Sequence, residues 1–110
     1  MRAFQFLVLC GCLFACGERT LASHPCPENG STLTYQNFGE RFFTSYCVAC
    51  HGGPHGHSSR AFNTLTLIQA SRERIFTNAT GENPPMPPGP DDPAPEELAK
   101  LSEWLSCGAP

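Results

Sequence analysis

Cys47, Val48, Ala49, Cys50 and His51 form a C-x-x-C-H run. Two thiols and an imidazole in this order suit the covalent attachment of haem: the thiols add across the vinyl groups to give thioethers, and the imidazole takes one axial position on the iron. If the run opens a helix, Cys47 and Cys50 stand three apart and Cys47 and His51 four apart, so all three share one face. One flat macrocycle can then meet all of them. The competing chemistry is a redox dithiol at Cys47 and Cys50, which would sit in an alternation of strands and helices that this sequence does not show. A stand-alone metal module built on His51, His55 and His57 would lack partner thiolates at ligand spacing.

An iron held by one histidine needs a second axial ligand for electron transfer, or an open position for chemistry. The candidates are Met86, His24, His55 and His57. Met86 is favoured. It lies 35 residues after His51 inside Pro84-Pro85-Met86-Pro87-Pro88, where fixed backbone dihedrals would hold a thioether in place without a helix or strand. A proline-flanked loop is a poor place for a core-filling methionine. His55 and His57 follow His51 too closely to reach the other haem face and read as solvent-exposed. Pro54 is a candidate to offer its carbonyl to the His51 ring N–H, and Arg60, Arg72 and Arg74 are candidates to pair with haem propionates.

The elements that must position these residues are helical. Phe38, Phe42 and Tyr46 recur every four residues, with Phe43 widening the stripe, so residues 34–46 are expected to form a helix on which Gly39 lets another backbone approach closely. Glycine and proline from Gly52 to Gly56 force a loop. Leu65, Ile68, Ile75 and Ala79 keep helical spacing, and Ser71 can restart a second short helix. Seven prolines between Thr80 and Pro95 exclude both helix and ladder strand. A last helix opens with Pro95, Glu96 and Glu97 and carries Leu98, Leu101, Trp104 and Leu105 to a stop at Cys107-Gly108.

The amino-terminal stretch reads as an export signal, with Arg2 followed by an apolar run too short to span a bilayer. Leu13-Phe14-Ala15-Cys16 resembles a lipobox, so residues 1–15 are expected to be removed and Cys16 lipidated. Cleavage near Leu9-Cys10-Gly11-Cys12, or an ordinary cleaved signal with an incidental Cys16, are the alternatives. Residues 16–33 then form a tether and extended entry segment, and 34–110 the domain.

Of seven cysteines, Cys10 and Cys12 leave with the leader, Cys16 takes lipid, and Cys47 and Cys50 take haem. Cys26 and Cys107 remain. In an oxidising compartment they are expected to pair, the alternative being two buried free thiols. The formal charge of −3 becomes −4 once Arg2 is removed, and the basic residues are scattered. Such a chain lacks the basic stripe that nucleic acid requires and would favour a basic protein partner.

With these residues in view, Phe42 to Pro110 resembles the class I cytochrome c domains of bacteria. The motifs are Phe43-Thr44-Ser45-Tyr46 before C-x-x-C-H, Met86-Pro87-Pro88, Trp104-Leu105 and Gly108-Ala109-Pro110. The resemblance implies an all-α fold of three to four helices around one covalently attached haem c, with long irregular loops. It also implies that the first and last helices cross, so that Gly39, Phe42 and Phe43 face Leu101, Trp104 and Leu105, and that His51 and Met86 are the axial ligands. The expected protein is a monomeric, periplasmic, lipid-anchored monohaem c-type cytochrome that carries single electrons between redox partners by outer-sphere transfer and is not an enzyme. The alternatives are a haem protein with an open sixth site, peroxidase-like or sensing, and a non-haem dithiol redox lipoprotein.

Overall fold

A computed structural model describes residues 17–56 and 60–110. Residues 1–15, where a leader is expected, Cys16 and His57 fall outside these residues, and the side chain of His55 is not described. The described chain is helical, without strands, in three stretches divided into five α segments.

The first stretch opens at Thr34, whose hydroxyl accepts from the Asn37 N–H at 3.1 Å while the Asn37 side chain accepts from the Thr34 N–H at 2.7 Å. This reciprocal cap satisfies two donors that a helix start would otherwise leave unpaired. Residues Tyr35–Gly39 form a π-helical turn before α1 (Glu40–Tyr46). The sequence anticipates an ordinary helix here. Instead the Gly39 N–H reaches back five residues to the Thr34 carbonyl, at 3.1 Å. The chain breaks at Cys47 and resumes as the single turn α2 (Val48–His51), followed by a 3-10 turn over Gly53–His55.

The second stretch is α3 (Leu65–Ala70), capped by Thr64, and α4 (Arg72–Ala79), separated at Ser71 where the sequence allows a restart. The third is α5 (Pro95–Ser106), with Pro95 in its first turn, where no N–H is needed, and Glu96 and Glu97 at the positive end of the dipole. After Cys107, Gly108 takes φ +99°, which ends the helix without the strain a side chain would bring.

Trp104 is the hub of the core. It is fully buried, with the rings of Phe38 and Phe43 at 6.1 and 6.2 Å. Its indole N–H donates to the Pro110 main-chain oxygen at 3.1 Å, and the same oxygen accepts from the Tyr35 N–H at 2.7 Å. The first and last helical stretches are thus tied through Trp104. A Cβ on Gly39 would lie 2.7 Å from two indole carbons, so it is the tryptophan ring, not another backbone, that makes the close approach foreseen there.

Residues 17–33 contain no helix or strand, but from Arg19 onward they lie against the domain. Leu21 and Leu33 pack on the core, the Leu21 N–H donates to Glu73, and Ser31 donates to Glu103. Cys26 is joined to Cys107 by a disulfide across 81 residues of sequence. In the chain-entropy account a loop of that length stabilises the folded state by about 4.5 kcal/mol at most. That is a large share of the stability of so small a core.

Gly39→Ala should lower stability by about 1–3 kcal/mol, because the buried indole has nowhere to retreat. Thermal unfolding followed by far-ultraviolet circular dichroism measures it. An unchanged midpoint would mean that Trp104 can move aside.

Candidate functional site

α2 is too short to hold itself in place, and its geometry comes from its surroundings. The Cys47 carbonyl accepts from both the Cys50 and His51 N–H groups, at 3.2 and 2.8 Å, which folds the motif into one tight turn. Residues 60–62 then clamp His51 from outside. The Phe62 N–H donates to the His51 carbonyl at 2.7 Å, and the Phe62 ring stacks on the imidazole with centroids 4.5 Å apart. The imidazole Nδ1 sits 2.7 Å from the Arg60 carbonyl. A carbonyl only accepts, so Nδ1 carries the hydrogen, and in the neutral ring the lone pair is then on Nε2. This is the tautomer an iron-bound imidazole requires, held by a partner that orients the ring.

The expected role of Pro54 is corrected here: the carbonyl that meets the His51 ring belongs to Arg60. Pro54 lies inside the 3-10 turn, which closes on itself through the Gly56 N–H and the Gly53 carbonyl, at 3.0 Å. A Cβ on Gly56 would fall 2.5 Å from the Cys50 carbonyl oxygen, so the loop folds tightly back on the motif only because this residue is glycine. Phe62 escaped the sequence reading because a single aromatic residue between loops makes no periodic pattern.

Cys47, Cys50, His51 and Met86 all line one cavity of about 520 Å³. Phe42, Phe43, Phe62, Ile75, Ala79 and Leu101 supply its apolar walls. The volume falls within the range of about 300–1,000 Å³ usual for cofactor sites. Arg60 and Arg74 reach the lining, where they could meet carboxylates, whereas Arg72 does not and instead approaches Gly108. An apolar chamber with two thiols, an imidazole lone pair, a thioether and cations at its lining fits a haem and its propionates. Met86 belongs to a loop rather than to the core: the residue is 45% exposed and its N–H donates to the Asn78 carbonyl at 3.0 Å.

Burial, reinforced by the neighbouring Cys50, pushes the Cys47 thiol up to about 12. Thiol–disulfide enzymes need the opposite, a thiol whose thiolate is favoured near neutral pH. His24 is engaged elsewhere. Arg19 donates to its Nε2 at 3.1 Å, its Nδ1 lies 3.1 Å from the Thr20 carbonyl, and its ring packs on Phe76.

Tyr46, on the same lining, donates its hydroxyl to Glu97 at 2.7 Å, and Glu97 also pairs with Arg41 at 3.6 Å. The hydrogen bond to the Glu97 carboxylate, with smaller contributions from desolvation and charge, holds the phenol above its ordinary value. A raised value means that this contact favours the folded state below the unfolded tyrosine value of about 10 and fades as pH rises through the folded one. Phenolate absorbance of the wild type minus Tyr46→Phe should therefore titrate later than an ordinary tyrosine, and Glu97→Gln should bring it back. Titration at the ordinary value would show that the bond does not form in solution.

The family described as cytochrome c oxidase, cbb3-type, subunit III matches residues 36–105, from the π-helical turn to the end of α5. No curated protein and no solved structure matches the chain. The matched span covers more than half of the sequence and contains the C-x-x-C-H run, the clamp on His51 and the Met86 loop. The chain belongs to this family of c-type cytochrome domains, all-α proteins built around covalently bound haem c.

Proposed function

We propose that this chain is an exported monohaem cytochrome c that carries single electrons between redox protein partners. In this reading Cys47 and Cys50 form the thioethers, and His51 and Met86 are the axial ligands. The observation that carries it is the convergence of these four side chains on one apolar cavity, with the His51 Nδ1–H held by the Arg60 carbonyl. Haem supplies a one-electron couple when bound. The chain's residues do the rest: Arg60 and Phe62 fix the imidazole, the walls exclude water, and the Asn78–Met86 hydrogen bond ties down the loop that presents the thioether. A histidine–methionine pair raises the potential relative to two histidines and leaves no open coordination position for bond-making chemistry.

The leader 1–15 directs export and Cys16 carries lipid, placing a monomeric domain on the periplasmic side of a bacterial membrane. Residues 16–33 lead into the domain 34–110. Because Arg19 is already packed against α4 and α5, only Gly17 and Glu18 would separate the anchor from the folded body. Three Cα steps reach about 10 Å. The carrier would then work close to the membrane surface, meeting partners there through small transient contacts favoured by basic partner surfaces.

Met86→Ala should keep the haem attached, lower the reduction potential, and allow the reduced iron to bind carbon monoxide. An unchanged potential with no carbon monoxide binding would remove Met86 from the iron.

A further inference from the structure

The loop that carries Met86 is not laid on the core. Residues Gly81 to Pro88 and the α5 residues Leu98, Ala99 and Ser102 enclose an open groove of about 1010 Å³. Arg19, from the segment that precedes the domain, is one of the residues that line it. We infer that Arg19 is a positioning residue for Met86, a strut that holds the base of the methionine loop against α4 and α5. The inference rests on the proposed ligand role of Met86.

Five contacts place the strut. The Arg19 guanidinium carbon lies 5.0 Å from the centroid of the Phe76 ring, within cation–π range. Its Nε donates to the Thr80 hydroxyl and its Nη2 to the Ser102 hydroxyl, both at 3.4 Å, while Nη1 donates to His24 at 3.1 Å. Its main-chain carbonyl accepts from the Thr77 hydroxyl at 2.9 Å. Thr80 is buried, and its own hydrogen is committed to the Phe76 carbonyl at 2.6 Å, so Arg19 supplies the donor its oxygen can still accept. Thr80 and Gly81 are the residues through which the chain leaves α4 for the methionine loop.

Gly81 makes the coupling tight. It takes φ +91°, and a Cβ there would lie 2.7 Å from the Arg19 Cδ. The loop therefore starts in contact with the arginine stem and returns to α4 at the Asn78–Met86 hydrogen bond. A planar guanidinium serves three hydrogen-bond partners and a ring face at once, which a lysine ammonium on a flexible stem cannot reproduce. Without Arg19, the loop start would be held only by Thr80 and by covalent continuity, beside a groove that water can enter.

The test uses the haem-loaded protein. Two quantities are followed on heating: the sulfur-to-iron charge-transfer band of the oxidised form, which reports methionine on iron, and far-ultraviolet circular dichroism, which reports the helices. In the wild type the two should fade together. In Arg19→Ala the band should fade at a temperature at least 10 °C below the loss of helix, and the reduced protein should take up carbon monoxide that the wild type excludes. Arg19→Lys should fall between them. Ser31→Ala removes a contact of the same segment with α5 far along the sequence from Arg19 and should leave band and helix melting together. Coincident melting in Arg19→Ala, with no carbon monoxide uptake, would overturn the strut and reduce Arg19 to ordinary docking of the segment. Absence of the band already in the wild type would instead overturn the assignment of Met86, so the two failures are distinguishable.

Discussion

The structure depends on an apolar chamber that its own side chains do not fill. A chain with fewer than 100 residues in its domain has little core to spare, yet Phe42, Phe43, Ile75 and Leu101 belong to the buried core and at the same time line a cavity of about 520 Å³. Apolar walls around a space of that size make their full dispersion contacts only when a group of matching shape covers them. A flat covalent group seated there would return those contacts. The same walls then serve folding and redox chemistry, because covering the faces of the group also lowers the dielectric around its iron. What remains of the stability falls to devices outside the core: the Cys26–Cys107 bridge, the Tyr35–Pro110–Trp104 oxygen and the capped start at Thr34.

Much of this was legible in the sequence, for identifiable reasons. The aromatic repeat at Phe38, Phe42 and Tyr46 and the leucine stripe of α5 are periodic, and periodicity reports which face is buried. Ser71 marked the break between α3 and α4 because it interrupts an apolar pattern at a helix-neutral residue. The motif at Cys47, Cys50 and His51 was legible because its chemistry tolerates few spacings. The illegible parts are set by which loop returns to which turn. Nothing local distinguishes the Arg60 carbonyl from that of Pro54 as the partner of His51, since every residue has a carbonyl and only the tertiary placement of residues 60–62 decides which one arrives. Arg19 looked like part of a polar tether because its partners, Phe76, Thr80 and Ser102, lie more than 50 residues away. The π-helical turn at Tyr35–Gly39 likewise leaves no signature beyond a glycine.

Rigidity is distributed unevenly around the cavity. On the histidine side, two 2.7 Å hydrogen bonds and a stacked ring fix His51 with little freedom. On the methionine side, a half-exposed residue in a proline-rich loop has its own main-chain hydrogen bond to α4 and, at the base of the loop, the contacts of Arg19, with an open groove alongside. Histidine ligation would therefore be the invariant of the centre and methionine ligation its adjustable element. A chain of net charge −3, with Glu82, Asp91 and Asp92 on the methionine loop, presents acidic surface on that adjustable side. Long-range attraction would bring a basic partner there without a large permanent interface.

The central claim is that one haem is bound covalently through Cys47 and Cys50 and ligated by His51 in this cavity. It is tested most directly by exporting the chain from a host competent in haem c assembly and recording its intact mass, after acid-acetone extraction, together with the alkaline pyridine haemochrome spectrum. The expected result is one haem per chain that survives extraction, shows the spectrum of two thioether bonds, and is lost in Cys47→Ala/Cys50→Ala. A chain whose mass contains no haem, with Cys47 and Cys50 free or joined to each other, would contradict it.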